Sequence, residues 1–152
     1  QETYPTFGNH SRATWELDEQ WQPLRRAVEE LLVTYDWGEA MTALCLCLKP
    51  AFDELFMVGL ANVARASGDD LLAKILASLH EDCRWHREWT SALIRAAIED
   101  RPENLSVLNS WIAKWDPVTT AALAAFAPFA ARSDDARSSV RQHRAGMGLD
   151  TA

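Results

Sequence analysis

The segment Leu60–Leu72 reads LANVARASGDDLL. Within it, Ser67, Gly68 and Asp69 stop one helical pattern and start another. Gly68 suits a left-handed C-cap, and Asp69 suits an N-cap. On the N-terminal side, residues 39–66 are apolar nearly all round, broken chiefly by Lys49, Pro50, Asp53 and Glu54. A helix of that kind is buried on most sides, and Pro50 is expected to bend it. On the C-terminal side, from about Asp70 to Glu99, an apolar stripe runs at helical spacing. It contains Leu72, Ile75, Leu76, Leu79, Cys83, His86, Thr90, Leu93, Ile94 and Ala97. Each helix is about 28 residues, or roughly 40 Å, long. Joined by so short a turn, the two are expected to fold back as an antiparallel hairpin.

The flanks continue the helical reading. Residues 1–14 are polar and irregular, and a helical turn is expected near Thr14. Trp21, Leu24, Val28, Leu31 and Leu32 predict a helix over about 18–34. Gly38 marks a kink or restart before Glu39. Asp100-Arg101-Pro102 ends the hairpin, and Pro102 fits the first position of a further helix. Leu105, Leu108, Trp111, Ile112 and Trp115 form that helix's apolar face. Pro117 is expected to interrupt it, with Val118–Ala131 following as an Ala-rich helix that contains Pro128. Residues 132–152 lack periodicity and read as a flexible polar tail. The fold class is therefore all-α, with residues 1–131 as the helical domain. No strand signal and no internal repeat appears.

Composition narrows the function classes. A chain of 152 residues is long enough for one domain with a core. Hydrophobic content of 48% excludes a disordered chain. A net charge of −7 disfavours nucleic acid as the main partner. No segment reaches the roughly 20 apolar residues of a membrane span, and from the polar start no signal peptide is expected. Cys45, Cys47 and Cys83 are odd in number, and the first two point apart on one helix. Buried free thiols in a reducing cytoplasm are the expectation. Seven tryptophans need a large core or a partner surface to cover them.

A helical bundle that holds paired iron uses Glu-x-x-His, which puts carboxylate and imidazole on one helix face. Three residues before His10, His80, His86 and His143 stand Phe7, Ala77, Cys83 and Val140. The motif is absent. Glu81 is followed three residues later by Arg84, which cannot ligate a metal but can neutralise a leftover carboxylate. Asp82 and His86 share a face, so Asp82 is expected to orient His86 by a hydrogen bond. The expected catalytic, cofactor-binding and metal-binding residues in this chain are therefore none. Two alternatives stay open. One is an atypical metal or thiol site drawn from Glu39, Glu54, Asp82, Cys83 and His86. The other is a helical interaction module anchored by the i, i+4 pairs Trp85–Trp89 and Trp111–Trp115.

Four segments carry a family resemblance: WQPLRRAVEELLVTYDWGEA (21–40), LKPAFDELF (48–56), RPEN (101–104) and WIAKW (111–115). Over about residues 11–130 they resemble the small, β, subunit of bacterial multicomponent monooxygenase hydroxylases. These diiron systems oxidise phenols, toluene, alkenes, propane and methane. The likeness is nearest to the phenol, toluene and alkene branches. The resemblance implies a ferritin-like bundle that has lost its ligands and supports an iron-bearing α subunit. It implies an α2β2γ2 hydroxylase, a regulatory protein, and a reductase carrying FAD and a 2Fe–2S cluster that takes electrons from NADH. It further implies that only the C-terminal half of such a subunit is present, which agrees with a first residue of Gln1. Half a bundle should expose apolar helix faces and oligomerise or aggregate when isolated.

Overall fold

The computed structural model describes residues 9–124, 126 and 130–149. Among these there is helix and turn and no strand. Helix α1 is Asn9–Leu17 and α2 is Gln22–Val33. Helix α1 thus begins earlier than the turn expected near Thr14. Helix α3 covers residues 37–66 and is built from five joined segments. Two of them, Ala43–Leu48 and Glu54–Gly59, are π-helical. Helix α4 is Asp70–Asp100, α5 is Asn104–Ala124 and α6 is Ala130–Ala145.

The hairpin of α3 and α4 forms where the capping residues place it. Gly68 has φ +80°, and the Asp69 side chain accepts from the Leu72 N–H at 2.9 Å. Gly68→Ala is expected to cost about 1 kcal/mol, because a Cβ is strained in that conformation even with open space around it. A urea titration checks this, and Gly68→Asn should recover part of the loss.

Pro50 acts through turn width. It has no N–H for the Leu46 carbonyl and would crowd it in a regular α-helix. The chain is π-helical just before it, and the Leu46 carbonyl accepts from Arg144 Nε at 2.9 Å. Pro117 does not interrupt its helix, contrary to the sequence expectation. Helix α5 runs through it to Ala124. Pro117 and Ala113, whose carbonyl loses its usual donor, both lie on the exposed side, where water can replace that donor. Pro102 sits in the preceding turn, and α5 starts at Asn104. The Asn104 side-chain amide donates to the Ala97 carbonyl at 2.8 Å, closing the end of α4. Pro128 lies outside the described residues.

The expectation of a loose tail is overturned for residues 130–149. Helix α6 packs on α3 and α5, with Ala136, Val140, Arg144, Met147 and Leu149 buried. Within the helix, Ala136, Val140 and Arg144 do recur at helical spacing. The signal was hidden because one member is alanine and another is arginine.

The main core joins α2, α3, α4, α5 and the segment after α6 around Leu46, Cys47, Ile94, Ile112 and Trp115. A second cluster joins Trp21, Phe52, Phe56 and Phe126, with Trp21 and Phe126 centroids 5.0 Å apart, edge to face. The expected α4 stripe divides in two. Leu76, Cys83, Thr90 and Ile94 are buried, while Leu72, Ile75, Leu79 and Leu93 remain exposed beside Trp85 and Trp89.

Candidate functional site

Glu39 lies in the first turn of α3. The turn is fixed by Asp36, whose side chain accepts from the N–H groups of Gly38 and Glu39 at 2.8 and 3.1 Å. Gly38 lies close to α5: a Cβ there would stand 3.1 Å from the Trp111 ring, a tight contact to which the ring would have to yield. Glu39 Oε1 accepts from Lys114 Nζ at 2.6 Å and Trp115 Nε1 at 2.9 Å, both on α5. The Lys114 hydrogen bond, then the Trp115 hydrogen bond, hold the Glu39 carboxyl below its ordinary value of 4.5. A carboxyl held low in the fold stabilises it above its unfolded pKa, and that contribution fades as pH falls through the folded value. Glu39→Gln is therefore expected to lower the urea midpoint at pH 7, with the difference from wild type vanishing as pH drops well below 4.5. Urea titrations across pH 3–7 read this out as roughly one lost charge-assisted hydrogen bond.

Glu54 is the second inward carboxylate. Its Oε1 is 3.1 Å from an Arg87 guanidinium nitrogen and accepts from Ser139 Oγ at 3.2 Å. His80 Nε2 stands at 3.7 Å. Arg87 also donates to the Pro50 carbonyl at 3.0 Å. The sequence pointed to Arg84 as the neutralising arginine. Arg84 instead pairs with Glu81 at 2.9 Å on the open surface, and Arg87, one turn further on, serves the inner carboxylate. Ser139 was missed because it belongs to the supposed tail.

The remaining candidates do not converge. Asp82 is exposed and makes no bond to His86, whose Nδ1 is buried without a partner. The helix turns Asp82 outward, so the expected orienting bond does not form. Cys83 is buried, and burial followed by the charge of neighbouring Asp53 pushes its thiol up. Burial also pushes Cys47 up to about 12 and raises Cys45. High thiol pKa values oppose nucleophilic chemistry. The three cysteines are free. Among the described residues, no three His, Cys, Asp or Glu side chains come together as a metal site. The tryptophan pairs play unequal parts. Trp115 is fully buried and Trp111 packs on the core, whereas Trp85 and Trp89 are exposed.

Comparison with known proteins decides the family. The family described as Methane/Phenol/Alkene Hydroxylase matches residues 1–101. The chain belongs to this hydroxylase family. The β subunit of the hydroxylase component of the toluene-4-monooxygenase system from Ectopseudomonas mendocina is 37% identical over 126 residues. That match covers 82% of this chain and 38% of the relative. A solved structure of toluene 4-monooxygenase with toluene in its resting active site matches at TM-score 0.76 and 35% identity. It covers 82% of this chain and 41% of that chain. Phenol hydroxylase from Pseudomonas sp. OX1 shares the fold at TM-score 0.86 and 23% identity, over 93% of this chain and 44% of that one. The chain therefore spans about two-fifths of the length of the proteins it matches. The family resemblance carried by YDWGEA and KPAFDELF is borne out, as is the all-α, ferritin-like fold class.

The described side chains of this hydroxylase-family member do not fit a diiron centre. Glu39 is held by a lysine and an indole, and Glu54 by an arginine and a serine. A lysine ammonium, an indole N–H and a guanidinium offer protons and no lone pair, so these neighbours are not metal ligands. No iron chemistry is assigned to residues of this chain.

Proposed function

We propose that the chain is a structural, non-catalytic β subunit of a diiron multicomponent monooxygenase hydroxylase. The observation that carries this reading is the neutralisation of Glu39 by Lys114 and of Glu54 by Arg87. Each of these carboxylates is paired with a cation from another helix, so the pairs tie α3 to α5 and to α4. The likeness to a named hydroxylase β subunit supports the same reading.

In this proposal iron resides in an α subunit, within an α2β2γ2 hydroxylase in the cytoplasm. A regulatory protein and a reductase with FAD and a 2Fe–2S cluster deliver electrons from NADH. The reaction is O2-dependent hydroxylation or epoxidation of a phenol, toluene, alkene or propane substrate. Neither nucleic acid nor membrane is a partner. The exposed apolar residues of α4 suit a subunit that is covered by other chains.

Reconstitution tests the proposal. NADH-dependent product formation from phenol or toluene should require the full-length protein alongside its α and γ subunits and reductase. Full activity without it would contradict a supporting role.

A further inference from the structure

A cavity of about 180 Å³ between α3, α5 and α6 is lined by Arg137, Arg141 and Arg144 of α6 together with Asp116, Thr119 and Thr120 of α5. Its wall thus carries three arginines and one carboxylate. Arg144 and Asp116 neutralise each other through hydrogen bonds of 2.8 and 2.6 Å. The Thr119 hydroxyl is also committed, donating to the Trp115 carbonyl at 3.0 Å. That leaves Arg137, Arg141 and Thr120. Arg137 is half-buried, and Arg141 and Thr120 are exposed. The two arginines stand one helical turn apart, where like charges repel. Neither the Arg141 guanidinium nor the Thr120 hydroxyl has a hydrogen bond or ion pair with another described residue. The whole chain has a net charge of −7, so this surplus of positive charge is local to the cavity.

We propose that this cavity binds a phosphate group, held by Arg137 and Arg141 from α6 and by Thr120 from α5. A guanidinium offers a planar fork of N–H donors that matches phosphate oxygens two at a time. The threonine hydroxyl adds a donor from a second helix. Donors from two helices suit a tetrahedral anion, whose oxygens point in several directions, better than a planar carboxylate. The bound charge also offsets the repulsion between the two arginines. The Arg144–Asp116 pair is neutral as a unit, so its carboxylate does not set a net negative charge against the ligand. The same chemistry is offered by inorganic phosphate and by a small phosphate ester.

The test uses the full-length protein. Isothermal titration calorimetry with inorganic phosphate and with glycerol 3-phosphate, at constant ionic strength, should show saturable one-to-one binding. The tighter of the two ligands identifies the source of the phosphate, free anion or small ester. Acetate should bind about tenfold more weakly than the tighter phosphate ligand. Arg141→Gln removes a charged fork, and Thr120→Val removes the hydroxyl at nearly constant shape. Each should weaken phosphate binding about tenfold. Both positions are exposed, and circular dichroism establishes that each variant is folded. No saturable binding of either phosphate ligand overturns the assignment, and is the result expected if a carboxylate from elsewhere in the full-length protein fills the cavity. Wild-type affinity in a folded Arg141→Gln or Thr120→Val protein overturns it as well. So does acetate binding as tightly as phosphate.

Discussion

Asp116→Ala is expected to destabilise the fold by about 3 kcal/mol, lowering Tm by about 6–12 °C. Asp116 is the counter-ion of Arg144, whose side chain is only 2% exposed. The pair is bidentate: Nη1 donates to Oδ2 at 2.8 Å and Nη2 to Oδ1 at 2.6 Å. The third guanidinium contact, Nε to the Leu46 carbonyl, satisfies a backbone group that Pro50 cannot serve. Removing the carboxylate leaves a buried cation facing the neutral Leu46 carbonyl and Cys47 thiol. The cost falls at the low end of the range for broken buried pairs because Asp116 itself is 32% exposed. The double variant Asp116→Leu/Arg144→Met removes both charges and should cost less than Asp116→Ala alone. Thermal melts of the three proteins decide this. A loss under about 0.5 kcal/mol for Asp116→Ala would show that α6 is not locked by this pair.

Trp115→Ala should cost about 3–5 kcal/mol. Trp115 is fully buried at the centre of the main core, and its Nε1 hydrogen bond reaches across to Glu39. The loss combines a large cavity with an acceptor deprived of one donor. Trp115→Phe separates the two effects. It keeps most of the packing and drops only the N–H, so about 1–2 kcal/mol is expected. Urea titrations measure both. A small effect of alanine would mean that neighbouring side chains collapse into the space.

The hairpin was legible because its signals are local. Ser67-Gly68-Asp69 supplies both caps, and the flanking stripes carry the helical period. Helix α6 was not legible as part of the core, because its buried face contains Ala136 and Arg144, and arginine reads as surface. Its role depends on Asp116, 28 residues away, and on Leu46, 98 residues away. The lack of Glu-x-x-His could be read directly. The actual partners of Glu39 and Glu54 could not, because Lys114, Trp115, Arg87 and Ser139 meet them only through tertiary packing. Arg84 looked like the neutralising cation by spacing alone. The helix turns it outward and turns Arg87 in. Pro117 looked like a break because sequence does not show that its freed carbonyl faces water.

In the proposed function, this chain supports a hydroxylase through packing and ion pairs while iron resides in a partner subunit. Native mass spectrometry of the full-length protein mixed with its α subunit, with iron counted in each species, tests it most directly. The expected result is a heteromer containing both chains, with iron retained by α and none on this chain when it is released. A chain that carries stoichiometric iron by itself and forms no heteromer would contradict the account.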